Sequence, residues 1–344
     1  MNRVSLNSIS VVIPTQDRPE LLFEAIRSVK NQTLPAKEII IVDDASSNRV
    51  DQDELRHTFG TNIKVIRNEQ SRGLAWARYR GVKECTGKWV AHLDDDDLYD
   101  KDFLKDTINI LCEHSAIEAV FIGVKGFGAR GQAFNNTQQM GLESFHKLNT
   151  KNSGNQDLLF FPSEQLLPEL LRKVPMAFQR VVTRTAVWQE ISHLRKTAYA
   201  RVNDLPDNDD VFDYLGGPLR DSEWSIYAVA TCQNTALLNR PLYLQRCDGQ
   251  GYSSKVSQKE RHTSQNIIIK STLLRASEKL KELEPWKEEI KNSAATTFFD
   301  ASYFWSSERN KKRALYMLFK AIQTKPRLLH IKFFFRIILP RIAR

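Results

Sequence analysis

The segment Lys88 to Phe103, KWVAHLDDDDLYDKDF, limits the fold more than any other part of the chain. It sets four consecutive carboxylates, Asp94 to Asp97, directly behind a short apolar run. Like charges this close repel one another and lose hydration when buried, so an apolar core cannot hold them unpaired. The apolar run therefore reads as a strand that delivers the acids to a rim, where water, basic groups or a cation can reach them. In extended geometry side chains alternate faces, so Asp94 and Asp96 are expected to point one way and Asp95 and Asp97 the other. One pair can then serve Mg²⁺ or Mn²⁺, hard cations that prefer carboxylate oxygens and leave positions for water and substrate phosphate. The plain alternative is a solvated acidic turn.

The flanking sequence supplies the rest of such a sheet. SVVIP at 10–14, EIIIV at 38–42, IKVI at 63–66, WVAHL at 89–93 and AVFIGV at 119–124 read as strands. Between them, Leu22, Ile26 and Val29 mark one helix face, and Leu74, Ala77, Gly81 and Cys85 another. Asp17 with Glu20 predicts a capping box ahead of the first helix, with Pro19 in its first turn. Strands alternating with helices predict a parallel α/β sheet, in which ligands bind beyond the carboxyl ends of the strands. Three strands end in suitable polar residues: Pro14 to Asp17, Asp43 with Asp44, and Asp94 to Asp97. No GxGxxG follows the first strand and no GxxxxGK[ST] occurs, which argues against a dinucleotide fold or a P-loop.

From Lys125 to Phe161 the pattern dissolves into Gly, Asn and Gln, which predicts a long loop. Beyond it, RDSEWSIYAVA predicts a helix with Asp221 at its N-terminus, either a cap or a base held at the edge of a cleft. LLNRPLYLQR reads as a further strand, followed by a Gly-rich flap, CDGQGYSSK. The expected division is an α/β domain over 8–256, with halves 8–125 and 126–256, and a helical extension over 257–344. Residues 325–344 contain six Lys or Arg and no acid, and Leu328, Ile331, Phe335, Ile338 and Ile342 step by three and four. A helix of that kind lies in a membrane interface or packs on protein.

The composition, 41% hydrophobic and 26% charged over 344 residues, suits a globular chain with a substantial core. The start of the sequence reads as having no signal peptide. Cys85, Cys112, Cys232 and Cys247 form no CxxC pair, so reduced thiols in the cytoplasm are expected. A net charge of +9 favours anionic partners without selecting nucleic acid, for which no other feature speaks.

IPTQDRPELL, IIIVDDASSN, NEQSRGLAWARYRGV, GKWVAHLDDDDLYDKDFL, RDSEW and QRCDGQGYSS resemble, in order and spacing, the motifs of glycosyltransferase family 2, inverting enzymes of the GT-A fold. The resemblance implies a Rossmann-like, mostly parallel sheet flanked by helices. It also implies a nucleotide-sugar donor, usually a UDP-sugar, a divalent metal (Mn²⁺ or Mg²⁺), and transfer to an acceptor hydroxyl. By the same resemblance Pro14, Thr15, Asp17 and Arg18 line the base and ribose pocket, and Asp44 or Asp43 accepts from uracil. Arg78 approaches the diphosphate or sugar, with Tyr79 standing where the family usually has Asn. Asp94 and Asp96 are the implied metal pair, with Asp94 and Asp95 also counted at the donor. Asp221 is the implied base, with Glu223 and Asp210 as fallbacks, and Arg246 belongs to a loop that closes over the donor.

The acceptor implied is a glycan or a lipid-linked glycan of a surface polysaccharide, which with the basic tail would place the protein on the inner face of the cytoplasmic membrane. Two departures, Arg220 before Asp221 where the family has Glu and Arg246-Cys247-Asp248 without the usual His, keep open a non-catalytic nucleotide- or glycan-binding module. A phosphoryl-transfer enzyme of the haloacid dehalogenase type fits poorly, because there the acidic motif follows the first strand and here it follows the fourth.

Overall fold

The computed structural model describes residues 8–338 except 147, 149–155, 204–205, 213–216, 233 and 249–257. The proposed flap over 247–255 and the end of the basic tail therefore fall largely outside the described residues. Two compact units separate: residues 1–197 with 207–251, and 198–206 with 252–344.

The first unit is built on a nine-stranded sheet ordered β3-β2-β1-β4-β8-β6-β9-β5, with β7 paired to β9. β1 (Ile9–Thr15), β2 (Glu38–Asp43), β3 (Ile63–Arg67) and β4 (Trp89–His92) are mutually parallel. β6 (Ala119–Phe127) pairs in parallel with β9 (Thr235–Arg246), while β5 (Leu98–Tyr99), β7 (Leu158–Phe160) and β8 (Val181–Arg184) run antiparallel to their partners. β1 is buried along its whole length. That explains why it reads as a continuous apolar run, as strands covered on both faces do.

α1 (Pro19–Lys30) packs Leu22, Ala25, Ile26 and Val29 into this core. The predicted capping box does not form: Arg18 occupies the N-cap without a side-chain bond. Asp17 instead adopts φ +53° and accepts a 2.6 Å bond from the Ser47 amide, so its carboxylate ties two loops together. α3 (Leu74–Lys83) lies close on the sheet because Gly81 has no side chain. A Cβ there would sit 2.5 Å from Val12 Cγ1, so the close approach requires glycine.

The loop expected over 125–161 carries regular structure over most of its described residues. β6 runs to Phe127, α5 spans Gly131–His146, and β7 follows. α5 escapes the periodicity because few contacts hold it. Asn135 bonds both the amide and the carbonyl of Gly126, at 2.7 and 3.1 Å, and Phe145 is buried against Phe178. After it come α6 (Ser163–Arg172), the 3₁₀ turn Met176–Gln179, α7 (Thr185–Val202) and α8 (Asp221–Thr231). α2 (Gln52–Phe59) and α4 (Phe103–Glu113) complete the unit.

The second unit is helical: α9 (Gln258–Ser277), a 3₁₀ segment (Lys281–Trp286), α10 (Lys287–Ser307), α11 (Lys311–Thr324) and α12 (Leu328–Ile338). Phe304, Trp305, Ala314, Leu318, Phe333 and Ile337 form one cluster, and Ala294, Phe298 and Ala321 another. Among the described residues no helix is long and apolar enough to cross a membrane.

Candidate active site

The strand order places β1 between β2 and β4, so chain connections diverge on either side of β1. In an open α/β sheet the crevice at such a point, beyond the carboxyl ends, is where a ligand fits. Thr15 and Arg18 enter it from β1, Asp44 from β2, and Asp94 to Asp97 from β4.

The four aspartates do not continue the strand. β4 ends at His92, and the Asp97 amide donates to the Asp94 carbonyl at 3.1 Å, closing a turn. The simple alternation expected of extended chain is lost, and Asp97 joins Asp94 and Asp96. One oxygen from each of these three lies within 4.8 Å of the others. Asp95 turns toward β1, accepting from Thr15 Oγ1 at 2.7 Å and from Arg18 Nη1 at 3.0 Å. The same Arg18 nitrogen reaches Asp96 at 3.0 Å.

Three more arginines join Arg18 around the cluster. Arg78, from α3, joins Asp94 to Asp221. Arg180, from the entry to β8, lies 3.1 Å from Asp94, 3.6 Å from Asp97 and 3.3 Å from Asp221. Its guanidinium also lies 4.5 Å over the Tyr243 ring, whose hydroxyl donates to Asp97 at 2.9 Å. Arg246, closing β9, gives its amide to Asp97 at 2.8 Å and its Nε to the Asp96 carbonyl at 2.9 Å.

Burial and mutual repulsion still outweigh these cations for most of the cluster. Burial pushes the Asp97 carboxyl up to about 8 and the Asp95 carboxyl up to about 6. Asp96 is raised by burial and by Asp94. Burial opposes ionisation of Asp94 too, but Arg78 and Arg180 hold it below the ordinary value. A triad of hard oxygen donors with excess negative charge fits a divalent cation of the Mg²⁺ or Mn²⁺ type.

The remaining expected residues divide clearly. Asp44 accepts from Asn68, Ser71 and the amides of Arg72 and Gly73, at 2.6 to 3.1 Å, and so shapes the loop over 68–73. Asp43 is fully buried, bound to Arg67 and to the amides of Ser46 and Val50. Pro14 lies in β1 opposite Val42. Asp221 begins α8 with its side chain 22% exposed, between Arg78 and Arg180. Glu223 is 2% exposed and paired with Arg195 at 2.8 Å, an internal ion pair. Asp210 is exposed and meets Asn208. Tyr79 points away from Arg78's partners: its hydroxyl donates to Asp209 and meets His193, both at 2.8 Å.

A cavity of about 20 Å³, room for about one water, adjoins Asp221 and is bounded by Arg78, His92, Arg180, Trp188 and Trp224. Neither ring nitrogen of His92 has a hydrogen-bond partner, and burial pushes its pKa down to about 3. Sequence reasoning set Asp97 on the face of Asp95 rather than with Asp94 and Asp96, and did not single out Arg180 or Tyr243. Only the loss of strand geometry after His92 brings Asp97 in, and Arg180 lies in a stretch with no motif of its own.

Residues 10–167 match the family described as glycosyl transferase family 2. An uncharacterized glycosyltransferase of Rickettsia conorii is 30% identical over 185 residues, covering 53% of this chain and 26% of that protein. The UDP-Glc:alpha-D-GlcNAc-diphosphoundecaprenol beta-1,3-glucosyltransferase WfgD of Escherichia coli is 28% identical over 107 residues, 31% of this chain and 42% of its own length. The chain thus matches well under half the length of either relative. Residues 1–349 of TarS from Staphylococcus aureus, solved in complex with UDP-GlcNAc, share the fold at a TM-score of 0.59 and 18% identity, over 93% of this chain and 82% of that one. The mostly parallel sheet and the acidic turn beyond β4 thus accompany a match to glycosyl transferase family 2 that is confined to residues 10–167, and the chain has the GT-A fold.

Proposed function

We propose that the chain transfers a sugar from a nucleotide donor, a UDP-sugar, to a hydroxyl of a glycan or lipid-linked glycan, with inversion at the anomeric carbon. The observation that carries this reading is the junction at Asp221. One carboxylate at the edge of the crevice shares both of its arginines with Asp94 of the acidic turn. A base and a leaving-group site are thereby held one guanidinium apart.

Asp221 removes the proton of the acceptor hydroxyl, and its place at the N-terminus of α8 fixes the carboxylate relative to the sheet. Arg78 and Arg180 bring buried positive charge to the side where the diphosphate departs, and Arg246 adds to it from the end of β9. Asp44 and the loop it organises form one wall of the base pocket, and Thr15 and Arg18 another. Asp17 and Ala45 both hold left-handed backbone, φ +53° and +62°, which stiffens the two loops there. A divalent cation held by Asp94, Asp96 and Asp97 would neutralise the leaving diphosphate as a Lewis acid.

UDP as donor nucleotide is supported by the UDP-GlcNAc complex of TarS, and a lipid-linked acceptor by the acceptor named for WfgD. With such an acceptor the protein works at the cytoplasmic face of a membrane, as a peripheral enzyme. The test is transfer by Asp221→Asn, which is expected to lose turnover while binding UDP as before. Near-normal turnover would place the base elsewhere. Slow metal-dependent release of UDP from a donor separates an enzyme from a binding module.

A further inference from the structure

We propose that the exposed face of α12 is a docking surface for an anionic lipid bilayer. The inference rests on the lipid-linked acceptor above for its purpose and on α12 alone for its chemistry.

At about 100° per residue, Phe333, Ile337 and His330 share one side of the helix. These three are buried, Phe333 and Ile337 against Phe304, Trp305 and Leu318. Of the other apolar residues, Phe334, Ile338, Ile331, Phe335 and Leu328 sweep an arc of about 120° away from that cluster, while Leu329, also exposed, stands apart beyond Lys332 and Arg336. All five are exposed, Leu328 at 79%, Phe335 at 56% and Ile331 at 53%. This is the stripe that the sequence periodicity marks, and it faces outward.

Charge identifies the occupant. Asn310 to Arg344 contains ten Lys or Arg and no Asp or Glu. Lys325 pairs with Glu288, and Arg327 bonds Thr296 and the Asn292 carbonyl. Lys332 and Arg336, next to the arc on the helical wheel, are exposed, with no ion-pair partner among the described residues. A second copy of the chain on this face would bring two copies of one basic, acid-free patch together, because a two-fold contact buries the same patch on both subunits. A bilayer with acidic headgroups meets both needs at once: hydrocarbon takes the arc, and headgroups take the cations. Over its described residues α12 is too short to span a bilayer, which fits a helix lying in the interface. α11 adds an exposed aromatic, Phe319 at 57%.

The test is co-sedimentation of the full chain with phosphatidylcholine vesicles, with and without phosphatidylglycerol. Wild type is expected to bind at least about tenfold more tightly when phosphatidylglycerol is present, less so at high salt. Ile331→Ser with Phe335→Ser is expected to lose about tenfold or more of that binding, because both side chains lie outside the buried cluster. Lys332→Glu with Arg336→Glu is expected to lose the preference for phosphatidylglycerol. Circular dichroism shows whether each variant keeps its helices. Wild type that ignores the vesicles, or a folded Ile331→Ser/Phe335→Ser protein that binds like wild type, overturns the proposal. So does light scattering that finds a dimer broken by the same pair. Release of UDP from donor without vesicles is expected to be unchanged in these variants. If wild type itself releases none, the enzymatic reading falls while the vesicle result stands on its own.

Discussion

The α/β unit buries charge, and the helical unit exposes hydrocarbon. In the first, Asp95, Asp97, Arg78 and Arg180 are each at most 6% exposed, packed around one another at the ends of β1 and β4. In the second, Leu328, Ile331 and Phe335 are each more than half exposed on one helix. Either arrangement is costly for a chain alone, since burial and neighbouring aspartates raise the Asp95 and Asp97 carboxyls despite their partners, and bare apolar arcs are disfavoured in water. On the proposed readings, each marks a place shaped for something outside the chain. The difference lies in what would satisfy them: a polyanion with its cation in one region, a lipid surface in the other.

That contrast breaks if substitutions in one region disturb the function of the other. The largest expected effect is on the reaction. Asp221→Asn is expected to lower transfer about 10³-fold, equivalent to about 4 kcal/mol, with UDP affinity and vesicle binding unchanged. Glu223, two residues on, belongs to the structure instead. Glu223→Gln leaves Arg195 buried without its counter-charge and should lower unfolding stability by about 3 kcal/mol in a denaturant titration. If that variant melts like wild type yet cannot turn over, the roles of the two acids are reversed.

Asp96→Ala should next remove the metal-dependent part of UDP binding, by about tenfold or more, without changing the melting temperature by more than a few degrees. Calorimetry with and without Mn²⁺ reads it, and equal affinities in both variants and conditions would count against the metal site. The smallest effect concerns His92. Its folded pKa lies near 3, below the ordinary 6.5, so the unfolded chain takes up the proton first as pH falls. Its contribution is complete above pH 6.5 and erodes by about 1.4 kcal/mol per unit below it. His92→Leu should remove that erosion, so the variant gains about 2 kcal/mol of stability relative to wild type between pH 7 and pH 5. A difference independent of pH would mean that His92 is not held neutral by burial.

In the first 125 residues β1, β2, β3, β4, β6, α1 and α3 are legible because burial on both sheet faces leaves unbroken apolar runs and one-sided helix stripes, whereas α2, β5 and α4 go unread. The three polar strand ends are legible for the same reason, since each interrupts a run where the chain leaves the sheet. What escapes are features set by tertiary geometry. Asp97 enters the cluster only because the chain turns after His92. Arg180 looks like any surface arginine until β8 inserts it between β4 and β6. Asp17 reads as a helix cap, but a left-handed backbone sends its carboxylate to Ser47. α5 carries too few apolar residues to show a period, and its anchors, Asn135 and Phe145, are specific contacts. In α12 the period is plain, yet periodicity marks a face without saying whether protein covers it.

On the proposed reading, the acidic turn beyond β4 and the loops around Asp44 form a metal-dependent nucleotide site. The most direct test is calorimetric titration of the folded protein with UDP, GDP and CDP, each with and without Mn²⁺. The expected result is binding of UDP in preference to the other two, and only with the metal present. Failure of all three nucleotides to bind, with and without Mn²⁺, would contradict it.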